Sequence, residues 1–334
     1  MIIETNKDLL HLNTFRVKSV ARRYVQIDNI DDVTDSAFIK ELDEPFYIIG
    51  SASNVLFVSE NVPKIIKINT KGIEVTEKTN HILIKAQGGE SLHNLVKFCV
   101  DNYYGGMENL ALIPGSVGAC PVQNVGAYGL EVKDIIFNLE VFNTKTFKRE
   151  ILTNKECGFT YRGSIFKKKT NQYIIISVTF KLPKDYIPKI HYSSLEEYFK
   201  KLNIKEPNVH DIYNAICFIR SNKLPDVNVI GNAGSFFKNP IVTKSELANA
   251  IKIEPGLNYT HHDNKFKLSA ASLIELGGLK SLEINKISTW HKQPLVLVNR
   301  GNLSGKEVFE FSSIIIKEIY KKFGIVLERE VNVV

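Results

Sequence analysis

The chain has 334 residues, of which 44% are hydrophobic and 24% charged, and its formal net charge is +7. This composition is ample for ordinary hydrophobic cores and gives no sign of disorder, and the length predicts two or three domains of about 100–200 residues each. No apolar run approaches the roughly 18 residues of a membrane span, and the N-terminal segment lacks the apolar core of a signal peptide. Since the four cysteines are far apart, we expect a cytoplasmic protein without a disulfide framework and without a membrane partner.

The positive charge is compatible with an anionic partner, but the lysines are scattered along the chain. No zinc-finger spacing or RNA-binding aromatic motif accompanies them, so a nucleic acid partner is not expected. A small polyanionic substrate fits the charge equally well.

The first segment predicts alternating strands and helices, with strands at 23–27 and 46–49 and a helix at 31–42. The second strand runs into Gly50-Ser51-Ala52-Ser53-Asn54, where hydroxyls, an amide and backbone N–H groups converge. This turn is a candidate phosphate loop, and a plain β-turn explains it about as well. It is neither a Rossmann fingerprint nor a Walker A loop, because the required Gly and Lys spacings are absent.

Further strands are predicted at 64–69, 73–77 and 81–86, followed by a helix at 91–102. The stretch 110–130, LALIPGSVGACPVQNVGAYGL, then has four glycines, two prolines and no charge. Such a loop can bring backbone amides close to a pyrophosphate, and it can equally be a glycine-rich connection folded over the core.

Five motifs in order resemble the UDP-N-acetylenolpyruvoylglucosamine reductase family: GSASNVLF, GMENLALIPGSVGACPVQNVGAYG, CGFTYRGSIFK, GNAGSFFKNP and LEREV. The resemblance, to the longer type with a tyrosine loop, implies an α+β fold. In it, a vanillyl-alcohol-oxidase-like (PCMH-type) FAD-binding domain of two α+β subdomains spans 1–183. A C-terminal α+β substrate-binding domain spans 184–334, and its last strand packs back on the flavin domain.

The resemblance also implies which residues hold non-covalent FAD. These are Gly50, Ser51, Ala52, Ser53, Asn54, Pro114, Gly115, Ser116, Val117, Gly118, Ala119, Asn124, Gly126 and Ala127. Ala52 stands where the family often has a second glycine, and its methyl group is tolerable if φ there is negative. Cys120 is interpreted as a packing residue.

Three catalytic residues are carried over from the family: Arg162, Ser235 and Glu330. By the residues alone, Arg162 fits a surface position, and a serine in a turn usually bonds locally. Glu328 and Glu330 lie two apart on a strand predicted at 325–331, so they should share a face and periodicity cannot choose between them. The family places its carboxylate at Glu330.

Substrate contacts implied by the resemblance are Tyr161, Tyr192, Lys223, Asn239, Tyr259 and Gln293. The Tyr192 segment resembles a loop that closes over the nucleotide, and a helix-capping turn is the other interpretation. His261-His262-Asp263 is interpreted as a solvated loop and not as a metal site, since no further ligand follows at a recognised spacing. Ser304 and Glu307 form a capping box that starts the last helix, and Gly324 ends it.

The implied activity is the NADPH-dependent reduction of UDP-N-acetylglucosamine enolpyruvate to UDP-N-acetylmuramate in peptidoglycan synthesis, by a monomeric enzyme. NADPH reduces FAD, the flavin passes hydride to C3 of the enolpyruvyl group, and C2 is protonated, with Ser235 as candidate donor. Two alternatives remain open: an FAD-dependent oxidase, recognised by rapid reoxidation in air, and a colourless protein that binds UDP-sugars without redox activity.

Overall fold

The structure is a computed structural model, and it describes residues 1–43, 45–301 and 303–334. The chain divides into two compact units, each assembled from three segments. Unit 1 comprises Met1–Lys7, Ala21–Ser51 and Pro63–Asn222, and unit 2 comprises Asp8–Val20, Ala52–Val62 and Lys223–Val334. Residues 184–222 therefore pack with unit 1, while the predicted division of cofactor and substrate functions at residue 183 stays a prediction.

Short strands and helices alternate through both units. The strands are β1 Ile2–Asp8, β2 Val20–Ile27, β3 Tyr47–Ile49, β4 Val55–Leu56, β5 Asn61–Ile68, β6 Ile73–Glu77, β7 His81–Gln87, β8 Gly126–Ala127, β9 Leu130–Glu131, β10 Ile136–Asn143, β11 Lys148–Thr153, β12 Tyr173–Pro183, β13 Gly231–Ser235, β14 Ile241–Val242, β15 Tyr259–His262, β16 Lys265–Leu268, β17 Glu283–Ile284, β18 Ile287–Trp290, β19 Gln293–Asn299 and β20 Asn332–Val333. The α-helices are α1 Ser36–Ile39, α2 Leu92–Asp101, α3 Ile165–Lys168, α4 Ser193–Lys201, α5 Val209–Lys223, α6 Lys244–Ile253, α7 Ala270–Leu276 and α8 Gly305–Phe323.

The continuous helix predicted at 31–42 is wrong. The chain forms a 3₁₀ turn at Ile30–Thr34, then α1, then a second 3₁₀ turn at Lys40–Leu42. The Asp35 carboxylate accepts a hydrogen bond from the Ala37 amide at 2.8 Å and so starts a new helix inside the predicted one. Aspartate competes with the helical backbone in this way, which apolar periodicity does not register.

Unit 1 is built around two sheets. One has the order β1-β2-β5-β3, with β3 parallel to β5, and the other is antiparallel with the order β11-β10-β12-β7-β6. Side chains of both sheets, among them Phe142, Ile174 and Ile176, form one buried cluster. Ile175 points to the other face of β12, because strand side chains alternate, and packs in a second cluster with α2, α4 and α5.

Unit 2 contains the sheet β13-β19-β18-β17, the small sheet β14-β16-β15 and a parallel pair of β20 with β4. Helix α8 begins with the predicted capping box: Ser304 Oγ accepts from the Glu307 amide at 3.3 Å, and Glu307 Oε2 accepts from the Ser304 amide at 2.8 Å. It ends, as predicted, at Gly324, which has a φ of 68°. Within the three described ranges, no helix has the length and hydropathy that crossing a bilayer requires.

The strand predicted at 325–331 is also wrong. Arg329 forms only an isolated bridge with Phe237, and β20 starts later, at Asn332. Glu328 is exposed and pairs with Lys238 at 2.8 Å, whereas Glu330 is 8% exposed. The two glutamates therefore do not share a face, because regular alternation is lost at the bridge. His261 and His262 likewise lie in the hairpin strand β15, not in a loop.

Candidate functional site

Two of the predicted cofactor loops meet inside unit 1. Gly50 follows β3 and lies against Ser116: a Cβ placed on Gly50 would overlap the Ser116 Oγ and lie 3.7 Å from the Cβ of Ala119. Ser116 is buried, and its Oγ has no hydrogen-bond partner among the described residues. Leaving a buried hydroxyl unpaired costs about 1–3 kcal/mol. A narrow cradle with an unpaired hydroxyl is what a bound phosphate group would complete.

The backbone of the loop at 114–119 is only partly available to a ligand. Amides 117–119 donate to protein carbonyls at 2.8–3.1 Å, and Pro114 has no N–H. The backbone amides of Gly115 and Ser116 donate to no acceptor in the part of the chain that the structure describes. The donors that remain for an anion are therefore these two amides and the Ser116 hydroxyl.

Ala52 does not meet the condition set for its methyl group. Its φ is +44°, in the left-handed region, and it is buried. This conformation is strained for any residue with a Cβ, whereas glycine adopts it readily. Ala52, Ser53 and Asn54 belong to unit 2, whereas Gly50 and Ser51 belong to unit 1.

Arg162 lies among other predicted site residues of unit 1. Its Nη1 donates to the carbonyl of Asn124 at 3.4 Å and its Nη2 to that of Gly126 at 3.2 Å. The guanidinium also lies 5.6 Å from the ring centre of Tyr161. Arg162 has a φ of +52° because a tight turn, closed by paired bonds between residues 160 and 163, holds it there. The site thus has a cation on a constrained turn.

The side chain of Asn124 makes hydrogen bonds that hold this region together. It is completely buried, its Nδ2 donates to Glu131 Oε2 at 3.0 Å and to the Thr160 carbonyl at 3.1 Å, and its Oδ1 accepts from the Lys133 amide at 3.1 Å. The adjoining Gly126–Ala127 strand pairs with β9 through a two-residue turn in which both φ angles are positive. Such turns favour a tight hairpin and hold the Gly126 carbonyl in place for Arg162.

Tyr192 stands at the start of α4, where it provides no side-chain cap, and it is 46% exposed. Its ring meets that of Tyr128 edge to face, with centroids 5.1 Å apart. Asn109 links both segments, since its Nδ2 donates to the carbonyls of Tyr128 at 2.8 Å and Lys189 at 3.0 Å. Sequence reasoning missed Tyr128 and Asn109, although both lie inside motifs that carried the resemblance.

Arg220 is a second residue that sequence reasoning missed. Its Nη2 donates to the Leu112 carbonyl at 3.3 Å, and its Nε is buried without a partner among the described residues. Burial lowers the pKa of Arg220, and a hydrogen bond with Tyr128 opposes that shift. A largely desolvated guanidinium beside Tyr128 can recognise an anionic group.

Ser235 ends β13 just beyond an irregularity in its pairing with β19. Asn232 pairs with Val298 and Ser235 with Val296, so the register shifts between them. Gly234 provides the required φ of 67°, and its amide donates to Asn232 Oδ1 at 3.0 Å. A bulge of this kind redirects the next side chain. Ser235 is exposed, and its hydroxyl has no hydrogen bond to the residues that the structure describes.

Glu330 lies on the segment next to Ser235 in unit 2. Its amide donates to the carbonyl of Phe236, the neighbour of Ser235, at 2.8 Å. Its carbonyl accepts from Asn54 Nδ2 at 3.2 Å. The backbone that carries this buried carboxyl group is therefore fixed on both sides.

The other predicted substrate residues of unit 2 are spread over several elements. Asn239 Oδ1 accepts from the Ala270 amide at 2.9 Å, at the start of α7, and Tyr259 is exposed on β15. Gln293 opens β19, and Lys223 ends α5, where its carbonyl accepts from Trp290 Nε1 at 3.1 Å. These contacts give each residue a place in the fold, and their substrate roles stay predictions.

Glu108 is a completely buried acidic residue of unit 1. It accepts hydrogen bonds from the Tyr186 hydroxyl and, at 2.7 Å, from the Gly106 amide. Burial is the main cause that raises its pKa. The protonated acid is therefore more favoured in the folded protein than in the unfolded chain.

We expect Glu108→Gln to remove a pH-dependent loss of stability. Because the folded pKa is raised, the contribution of Glu108 to the free energy of unfolding is complete below the unfolded pKa of about 4.3 and is lost as pH rises through the folded pKa. Urea unfolding of both proteins should be measured at a series of pH values. The free energy of unfolding of wild type should fall, relative to that of the variant, as the pH rises. Parallel curves would contradict the expectation. The exposed Glu156, whose pKa is lowered by hydrogen bonds from Thr153, offers Glu156→Gln as a control with the opposite slope.

Comparison with known proteins gives a consistent result. The C-terminal domain family of UDP-N-acetylenolpyruvoylglucosamine reductase matches residues 225–334, and an FAD binding domain family matches residues 21–146. The reductase of that name from Flavobacterium johnsoniae is 38% identical over 100% of both chains. The Buchnera aphidicola (subsp. Acyrthosiphon pisum) enzyme is 40% identical over 99% of this chain and 92% of its own.

A solved structure supports the fold. The UDP-N-acetylenolpyruvylglucosamine reductase of Thermus caldophilus superimposes with a TM-score of 0.67 at 22% identity, covering 99% of this chain and 98% of its own. The α+β fold predicted from the motifs is confirmed.

Proposed function

The chain belongs to the UDP-N-acetylenolpyruvoylglucosamine reductase family, and on that basis we propose that it reduces UDP-N-acetylglucosamine enolpyruvate to UDP-N-acetylmuramate for peptidoglycan synthesis. The observation that carries the proposal is the exposed Ser235 on its bulge, beside the segment that holds Glu330. Use of NADPH, non-covalent binding of FAD, a monomeric state and a cytoplasmic location are parts of the same proposal.

The unit 1 loops fit the cofactor. We infer that the amides of Gly115 and Ser116, the Ser116 hydroxyl and the close approach at Gly50 would hold the pyrophosphate of FAD. When bound, FAD would supply the hydride-transfer chemistry between NADPH and C3 of the enolpyruvyl ether. The match to an FAD binding domain family over residues 21–146 supports this assignment.

The remaining chemistry falls to the side chains. As C3 gains a C–H bond, the electron pair of the double bond moves toward C2 and the substrate carboxylate, and negative charge develops there. The positive charge of Arg162 would stabilise that charge, aided by the polarising carboxyl group of Glu330. Ser235 Oγ would then give its proton to C2, which completes the new C–H bond. Tyr161, Tyr192, Lys223, Asn239, Tyr259 and Gln293 are proposed to contact the UDP-sugar.

We expect Tyr192→Phe to weaken use of the UDP-substrate while leaving NADPH oxidation by the flavin intact. The hydroxyl would be a buried polar contact once substrate is bound, and losing such a contact costs about 1–3 kcal/mol. Steady-state measurement of KM and kcat/KM for the UDP-substrate checks this. Because phenylalanine keeps the ring that meets Tyr128, the fold should be unaffected. Unchanged constants would leave Tyr192 a structural residue at the start of α4.

The proposed function is tested on the purified protein. It should be yellow, and acid should release FAD from the chain. Anaerobic NADPH should bleach the flavin, and UDP-N-acetylglucosamine enolpyruvate should restore its colour with formation of UDP-N-acetylmuramate. Restoration by air but not by the UDP-substrate would favour an oxidase, and a colourless protein that binds UDP-sugars would favour a binding role.

A further inference from the structure

Arg329 is anchored to α8 by an unusually complete set of contacts. Its Nε donates to Ser312 Oγ at 2.8 Å, and its Nη2 donates to Ser313 Oγ at 2.6 Å and to the Phe309 carbonyl at 3.4 Å. The guanidinium also lies over the Phe309 ring, 4.0 Å from its centre. Ser312 is completely buried, so this contact is not an exposed surface pair.

Glu330 is the next residue, and it is buried, with 8% of its surface exposed. Arg329 reaches α8, while the Glu330 backbone bonds to Phe236 and Asn54. A two-residue slip of this segment would place Glu328, which is exposed, where Glu330 now lies. The backbone bonds alone do not prevent that slip, because any residue can make them. The planar guanidinium of Arg329 can prevent the slip, because it fits two hydroxyls and an aromatic face.

We propose that Arg329 is the positioning residue for Glu330: by locking the segment onto α8 it presents the carboxyl group of Glu330, and not that of Glu328, for catalysis. The inference rests on the proposed function, since it assigns Arg329 a part in that reaction. Arg329 itself touches neither substrate nor cofactor in this role. Displacing a catalytic group by about 1 Å can slow a reaction by up to about 100-fold, which sets the size of the effect.

The experiment compares Arg329→Met and Arg329→Lys with wild type in anaerobic stopped-flow. We expect Arg329→Met to slow reoxidation of the reduced flavin by the UDP-substrate by about 10–100-fold and to leave reduction by NADPH unchanged. Arg329→Lys, which keeps the charge but loses the planar fork, should be intermediate. Lys317→Met is the matched control, because Lys317 is an exposed cation on α8 that lines the same surface groove as Arg329. It should behave as wild type.

A double-mutant cycle separates positioning from a general loss of structure. If Arg329 acts through Glu330, then adding Arg329→Met to Glu330→Gln should change the reoxidation rate by less than about twofold. A purely structural Arg329 would slow the Glu330→Gln enzyme as much as it slows wild type, which overturns the inference. Hydrogen exchange gives a readout without turnover: the Glu330 amide should exchange faster in Arg329→Met and not in Lys317→Met.

The outcomes for this inference and for the proposed function can be told apart. If the UDP-substrate does not reoxidise reduced wild-type enzyme, the proposed function fails and the role of Arg329 with it. If wild type reacts but Arg329→Met reacts equally fast, only the inference fails. An Arg329→Met protein that does not fold leaves Arg329→Lys to decide, since wild-type reoxidation in that variant also overturns the inference.

Discussion

Replacing Ser235 with alanine should slow reoxidation of the reduced flavin by the UDP-substrate by roughly 10²–10⁴-fold, the usual effect of losing a positioned general acid. The proposed task of Ser235 is to protonate C2 after hydride has reached C3, so reduction of FAD by NADPH should not need it. The side chain is exposed, and no described residue depends on its hydroxyl. Alanine should therefore preserve folding and flavin content, and the two half-reactions can be measured separately by anaerobic stopped-flow.

Two further variants sharpen this test. Ser235→Cys should recover part of the lost rate, because a thiol can donate a proton from nearly the same position. Ser245→Ala removes another exposed hydroxyl of unit 2, on α6, and should change neither half-reaction. If Ser235→Ala slows both half-reactions equally, or neither, then Ser235 is not the proton donor and the bulge at Gly234 is structural.

Substituting Arg162 should have the second largest effect. We expect Arg162→Lys to slow reoxidation by the UDP-substrate by roughly 10²–10³-fold, the scale for removing one electrostatic contact to a developing anion. Lysine keeps the charge but loses the planar fork whose two nitrogens lie 3.4 and 3.2 Å from the carbonyls of Asn124 and Gly126. The charge would then stand in the wrong place.

The same stopped-flow measurements decide the role of Arg162. Arg149→Met is a suitable control, since Arg149 pairs with the exposed Asp31 at 3.0 Å on the surface of unit 1. Loss of bound flavin from Arg162→Lys would show instead that the guanidinium mainly holds the Gly126 hairpin. Equal slowing of both half-reactions would count against a specific role toward the substrate.

The sequence was sufficient to predict those features that depend on residues close together along the chain. The capping box of Ser304 and Glu307 and the glycine that ends α8 depend on residues a few positions apart, so local pattern was sufficient. The helix at 31–42 and the strand at 325–331 failed because one side chain, Asp35, and one bridge, at Arg329, override periodicity.

The candidate site residues also fall into two groups, those that the motifs supplied and those that only the fold shows. Motifs supplied Arg162, Ser235 and Glu330, but they did not supply Asn109 and Arg220, whose contacts are long-range. Asn109 meets Lys189 across 80 positions, and Arg220 meets Leu112 across 108. A single sequence contains no signal for such pairs, so these partners became visible only in the fold.

The interrupted make-up of unit 2 has a consequence for synthesis in the cell. Asn332 bonds to Asn54, 278 positions earlier, and β20 pairs with β4. At the usual 5–20 residues per second, the ribosome needs roughly 14–56 s to make the chain between them. During that time Leu56 and Phe57, which end completely buried, have no final partner strand. The nascent chain therefore cannot complete the pairing of β4 until residues 332–333 have been made.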